Sequence, residues 1–233
     1  MSSAKQTARL AGLLYLVNAA TGFFGIIYVP GKLIVSGNAA ATASNILASE
    51  RIFRLGIVSE LICAAAFIYL VWVLYRLLGD VNKTHAALMV VWGLAFVPVM
   101  ALNVLSEIAA LTLLRGTDFL STLNQLNREA LAMLFLDLHR YGYIIGWIFG
   151  PWLLHLGVLI YRSGFLPRFL GVLLITAGFG YLAESVTPLL APDYANVVGR
   201  FAGIPLMIGE PALILWLLII GAKDQPLRAT ERD

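Results

Sequence analysis

Six runs of roughly twenty or more apolar residues, at about 8–29, 52–78, 85–114, 138–161, 168–190 and 199–221, leave this chain few possible folds. A backbone inside hydrocarbon must satisfy its own N–H and C=O groups, and only helices and closed barrels do so. Barrel strands would alternate over segments of about ten residues. These runs are longer and apolar nearly all round. They predict an all-α polytopic membrane protein, with six transmembrane helices in one compact bundle and residues 1–233 forming a single domain. Composition agrees, because 12% charged residues against 60% hydrophobic is too little charge to cover a soluble domain.

The first run is longer than a signal-peptide core, and "NAA" is a poor cleavage site, so it is expected to be a retained span. Two connections are short, "GDVNKT" and "SGFLP". Two are long, one around residues 30–51 and one around 115–137. With six spans, both long connections fall on one side and the termini on the other. Thr42 and Ser44 are candidate caps for a helix entering the second span, and Asn127 for one entering the fourth. Lys5, Arg9, Arg76, Lys83, Arg162, Arg168, Lys223, Arg228 and Arg232 give the side of the termini a small excess of positive charge. Both termini are therefore expected in the cytoplasm of a bacterium, with the spans in its inner membrane. A net charge of +3 with scattered basic residues predicts no nucleic-acid partner. The lone cysteine, Cys63, sits in an apolar run and is expected to be a packing residue.

Ionisable groups at membrane depth are the most informative feature, since each costs about 2.5–3.5 kcal/mol at a helix centre. Glu60, Glu107, Glu184 and Glu210 fall in four different spans, and Asp137, His139 and Arg140 open the fourth. Helical rise puts Glu60, Glu107 and Glu184 roughly two turns in from the long-connection border, with Glu210 nearer mid-depth. Glu60, Glu107, His139, Arg140, Glu184 and Glu210 are thus expected to line a polar pocket in the non-cytoplasmic half. Arg140 can pair with Asp137 or reach inward to the glutamates. Asp137 and His139 are two apart and face opposite ways. A metal at His139 would therefore need a carboxylate from another helix, such as Glu60 or Glu107. No HxxxH or HExxH spacing occurs. Neither a metal nor a cofactor is expected. His155, alone on an apolar helix, is expected to bond a backbone carbonyl.

Gly142, Gly146 and Gly150 make a stripe on which another helix can pack closely, within the chain or in a homo-oligomer. Asn103, Ser106, Glu107 and Ala110 share a small and polar face. Pro205 and Pro211 bracket Gly209 and Glu210, so the last span is expected to kink at a carboxylate. "RLAG", "RFLG" and "RFAG" open three spans. Snorkelling arginine followed by packing glycine accounts for them. No nucleophile elbow, P-loop or dinucleotide turn occurs, so an enzyme is not the favoured reading.

The stretches "RLAGLLYLVNAATGFFGIIYVPGKLIVSGNAAATASNILASERIFRLGIVSEL", "LGVLIYRSGFLPRFLGVLL" and "GEPALILWLLIIG" resemble a family of bacterial multipass proteins, the domain of unknown function 4386. The resemblance implies a six-helix membrane protein and brings no catalytic residue with it. Three functions stay open, in this order. The first is binding or transport of a small molecule or ion, with the bilayer as the other partner. The second is a structural or regulatory role with an architectural charge network. The third is a membrane-embedded hydrolase acting on a lipid-like substrate.

Overall fold

Each of the six apolar runs is helical. In the computed structural model, which describes residues 3–223, the spans are Ala4–Leu33, Glu50–Leu78, Lys83–Arg115, Gln125–Ser163, Arg168–Leu190 and Pro192–Ile219. Each is long and apolar enough to cross a bilayer, and no strand occurs among the described residues. The chain is an all-α polytopic membrane protein. Arg228 and Arg232, counted above for orientation, lie outside the described residues.

Local chemistry divides the spans further. The first comprises α1 (Ala4–Gly22), a π-helical turn (Phe23–Tyr28) and α2 (Val29–Leu33). Pro30 has no N–H to offer the carbonyl four residues back, and the turn before it widens. There the Val29 N–H bonds the Phe24 carbonyl, five residues away. The first long connection holds a separate helix, α3 (Ala39–Ala48). Its cap is Asn38, whose side-chain oxygen accepts from the Ala41 N–H at 2.9 Å. The expected caps Thr42 and Ser44 lie inside this helix, and Thr42 instead accepts from the Val35 N–H. Two long helices follow, α4 (Glu50–Leu78) and α5 (Lys83–Arg115).

The fourth span differs most from its sequence-based boundaries. Its first helix, α6 (Gln125–Gly146), begins far upstream of residue 138 because "REALAMLF" is a good helix former with a buried face at Glu129, Ala132 and Leu136. Asp137, His139 and Arg140 therefore stand about three turns inside a helix, not at its front. Asn124, not Asn127, supplies the cap, accepting from the Asn127 N–H at 2.8 Å. At Gly146 the helix gives way to a 3₁₀ turn (Trp147–Phe149), and α7 (Pro151–Ser163) restarts with proline at its first turn. Gly164, at φ +74°, closes α7 in a left-handed conformation, and Pro167 caps the next helix, α8 (Arg168–Leu190). The last helix is α9 (Ala195–Ile219).

The chain packs as two units. One comprises Val17–Phe67 and Phe96–Gly146, and so holds both long connections. Its core joins Val29, Ile46, Phe53, Leu111 and Leu136, with the short helix α3 laid against α6. The other comprises, among the described residues, 3–16, 68–95 and 147–223, and holds both short connections. There α8 packs on α7 and α9, with Gly157 and Gly171 meeting backbone to backbone. Gly12 of α1 lies against Leu217 and Leu218. In each unit a face made of glycine brings backbones closer than any side chain would allow.

Candidate functional site

In the unit that holds the long connections, three helices bring polar side chains to one place. The placement follows helical periodicity. Asn103 and Glu107 are four apart on one face of α5, and His139 and Tyr143 are four apart on one face of α6. Gly142 lets α6 approach α5, since a Cβ there would collide with the Asn103 side chain. Glu60 comes from α4, where its stem lies against Gly25 of the π-helical turn.

Glu60 is fully buried, Glu107 is 1% exposed, and His139 and Tyr143 are each 4% exposed. Both Glu60 oxygens lie 3.1 Å from His139 Nε2, and the Tyr143 hydroxyl donates to Oε2 at 2.7 Å. A carboxylate only accepts, so His139 Nε2 carries the proton in this bond. The His139 and Tyr143 rings meet edge to face, with centroids 5.1 Å apart. Glu60 is therefore a well-satisfied buried acid.

Glu107 is not. One of its oxygens lies 3.9 Å from His139 Nε2, and neither oxygen has a hydrogen-bond partner. One turn away on the same face, Asn103 Nδ2 is also buried without a partner. Ligand atoms of Glu60, Glu107 and His139 all fall within 4.8 Å of one another. With both acids ionised and the imidazole neutral, the set carries −2, a charge that low-dielectric surroundings leave uncompensated unless a proton or a cation joins it. Gly25 fixes the position of Glu60. A Cβ there would sit 2.6 Å from Glu60 Cγ and 2.9 Å from the Gly56 carbonyl. Gly25→Ala is expected to lower thermal stability by about 1–3 kcal/mol, checked by melting of the purified protein.

The other expected site residues lie elsewhere. Arg140 is exposed and turned to its own helix surface, 3.2 Å from Asp137 and over the ring of Tyr141 at 4.4 Å. Glu210 belongs to the other unit, where it accepts from the Tyr15 hydroxyl at 2.5 Å and the Tyr181 hydroxyl at 2.7 Å. Those two bonds tie α1, α8 and α9 together. Glu184 is half-buried in that same unit, with an oxygen near Gly203 of α9. His155 is not alone: its Nδ1 lies 3.0 Å from Nδ1 of His85. The glycine stripe is filled by the chain itself. Phe96 covers Gly146 beside the Asn103 contact at Gly142, and in the other unit Tyr181 covers Gly150.

Four hydrogen-bonding residues, Tyr143, Tyr15, Tyr181 and Glu129, are not marked as such by the sequence pattern. Tyr143 was legible only as an inward-facing aromatic. Tyr15 and Tyr181 gave no signal, since tyrosines in apolar runs also serve as interface residues. Glu129, buried and accepting from the Gln125 side-chain amide at 2.8 Å, lies just past the expected cap Asn127, where nothing in the sequence marks an acid as buried.

Comparison with known proteins gives a family and little else. The profile described as Domain of unknown function (DUF4386) matches residues 10–221. An uncharacterised protein of Archaeoglobus fulgidus is 39% identical over 83 residues, which is 35% of this chain and 45% of the relative. The match thus spans less than half of that relative's length. No solved structure matches the chain.

Proposed function

Because the chain belongs to the DUF4386 family, whose description carries no activity, we propose its function from the site: it is a membrane protein that binds a small cationic solute at Glu60, Glu107 and His139. The observation that supports this reading is Glu107, a carboxylate 1% exposed with both oxygens unpartnered. Burying such a group costs several kcal/mol, and an incoming cation removes that cost. Tyr143 and His139 hold Glu60 in place, so the site is preorganised on one side and open to a guest on the other. The proposed entry is from the side of the long connections, which share a unit with the site. On the proposed orientation this is the non-cytoplasmic side of a bacterial inner membrane. Binding alone and transport both fit this reading.

A screen of the purified full-length protein against metal ions, alkali ions and small amines tests it. At least one cation is expected to raise the melting temperature of the wild type and to leave Glu107→Gln unmoved. If no cation shifts the wild type, or if Glu107→Gln responds equally, the reading falls. The second reading, an architectural charge network, is favoured by Glu210, whose carboxylate is fully satisfied by Tyr15 and Tyr181. It predicts that acid substitutions change stability and that no cation has a Glu107-dependent effect.

A further inference from the structure

The geometry points to a divalent transition-metal ion of the zinc class as the cation, held by one carboxylate oxygen each of Glu60 and Glu107 and by a ring nitrogen of His139. This rests on the proposed cation site and names its occupant. Three features carry it. The first is charge: two carboxylates and one neutral imidazole balance a +2 ion, and leave a monovalent ion with excess negative charge. The second is donor type. An imidazole among the donors favours zinc and its neighbours over calcium or magnesium, which take six or more oxygens. The third is spacing. Ligands about 2.0–2.1 Å from a tetrahedral ion lie roughly 3.3 Å from one another. His139 Nε2 is already 3.1 Å from Glu60, and 3.9 Å from the Glu107 oxygen that has no other partner. A rotation of the Glu107 side chain closes the set without breaking any bond to Glu107, while the Nε2–H bond to Glu60 is given up: the imidazole ligates in its other tautomer, with the proton on Nδ1 and the Nε2 lone pair on the ion.

The surroundings fit the role. The Tyr143 hydroxyl holds the second Glu60 oxygen, as hydrogen-bonded partners steady ligating carboxylates in metal sites. Asn103, one turn from Glu107, has an amide nitrogen free to bond the Glu107 oxygen that does not ligate. Three protein ligands leave one tetrahedral position for water or a solute. The three ligands come from α4, α5 and α6, whose order in the sequence hides the cluster. No local spacing motif marks it, which is why the residues taken alone predict no metal.

The test uses the full chain, purified in mild detergent, treated with chelator and titrated with Co2+ and then Zn2+. Wild type is expected to bind one equivalent of Co2+, with visible absorption of four- or five-coordinate cobalt that Zn2+ abolishes. His139→Gln and Glu107→Gln are expected to weaken Zn2+ binding at least 100-fold. Glu210→Gln, which alters the other unit, is expected to bind as wild type does. Should His139→Gln fail to fold, loss of the cobalt spectrum in Glu107→Gln places the ion, since that substitution leaves the other imidazole pair, His85 and His155, untouched. Absence of saturable one-to-one binding, or equal binding by His139→Gln, overturns the metal assignment. If Co2+ and Zn2+ fail but another cation gives a Glu107-dependent thermal shift, the metal is wrong and the cation site stands. If no cation binds, both fall.

Discussion

Glu60→Ala is expected to destabilise the chelator-treated protein by about 3–5 kcal/mol, a fall in melting temperature on the order of 10 °C. Glu60 accepts from both His139 and Tyr143 and is fully buried, so its removal strands two donors on α6 at once. A cavity is left at the meeting of α4 with the π-helical turn, which adds to the loss. Glu60→Gln keeps the volume and an acceptor for Tyr143, and is expected to cost less than half as much. Differential scanning fluorimetry of the three proteins in one detergent checks the order. If Glu60→Ala melts with the wild type, the Glu60–His139–Tyr143 bonds do not hold the helices together.

Glu107→Met is expected to act in the opposite direction. Replacing an unpartnered buried carboxylate with an apolar side chain of similar volume removes a desolvation cost of about 1–3 kcal/mol, and raises the melting temperature of the chelator-treated protein by several degrees. The same substitution is expected to abolish cation binding. Stability gained where binding is lost is the signature of a residue kept for function. A melting temperature that falls, as for Glu60→Ala, would place Glu107 in the structural network. On the proposed reading two glutamates, on consecutive helices, divide the roles: Glu60 holds the helices and Glu107 takes the guest.

These opposite signs could not be read from the sequence, although both residues were candidates there. Each is an acid about two turns inside an apolar run, and the sequence treats them alike. Their difference lies in who faces them. His139 and Tyr143 both turn to Glu60 because Gly142, between them in the sequence, lets α6 settle against Asn103. Arg140 shows the same limit from the other side. One residue along from His139, it points about 100° away around the helix and ends exposed beside Asp137. The break at Gly146–Pro151 was visible as residues, yet the run was apolar throughout, and hydropathy does not register where one helix ends and the next begins. His85 and His155 are seventy positions apart and meet only when their helices pack.

What the sequence determined alone was the solvent and the secondary structure. Apolar runs of bilayer length must satisfy their backbones as helices, whatever packs beside them, so six spans and an all-α fold follow from local composition. Which acids meet, which turn to a tyrosine and which stay without a partner depends on helix rotation and on contacts between residues dozens of positions apart. Those are set by small-residue packing between helices, and only the tertiary structure decides them.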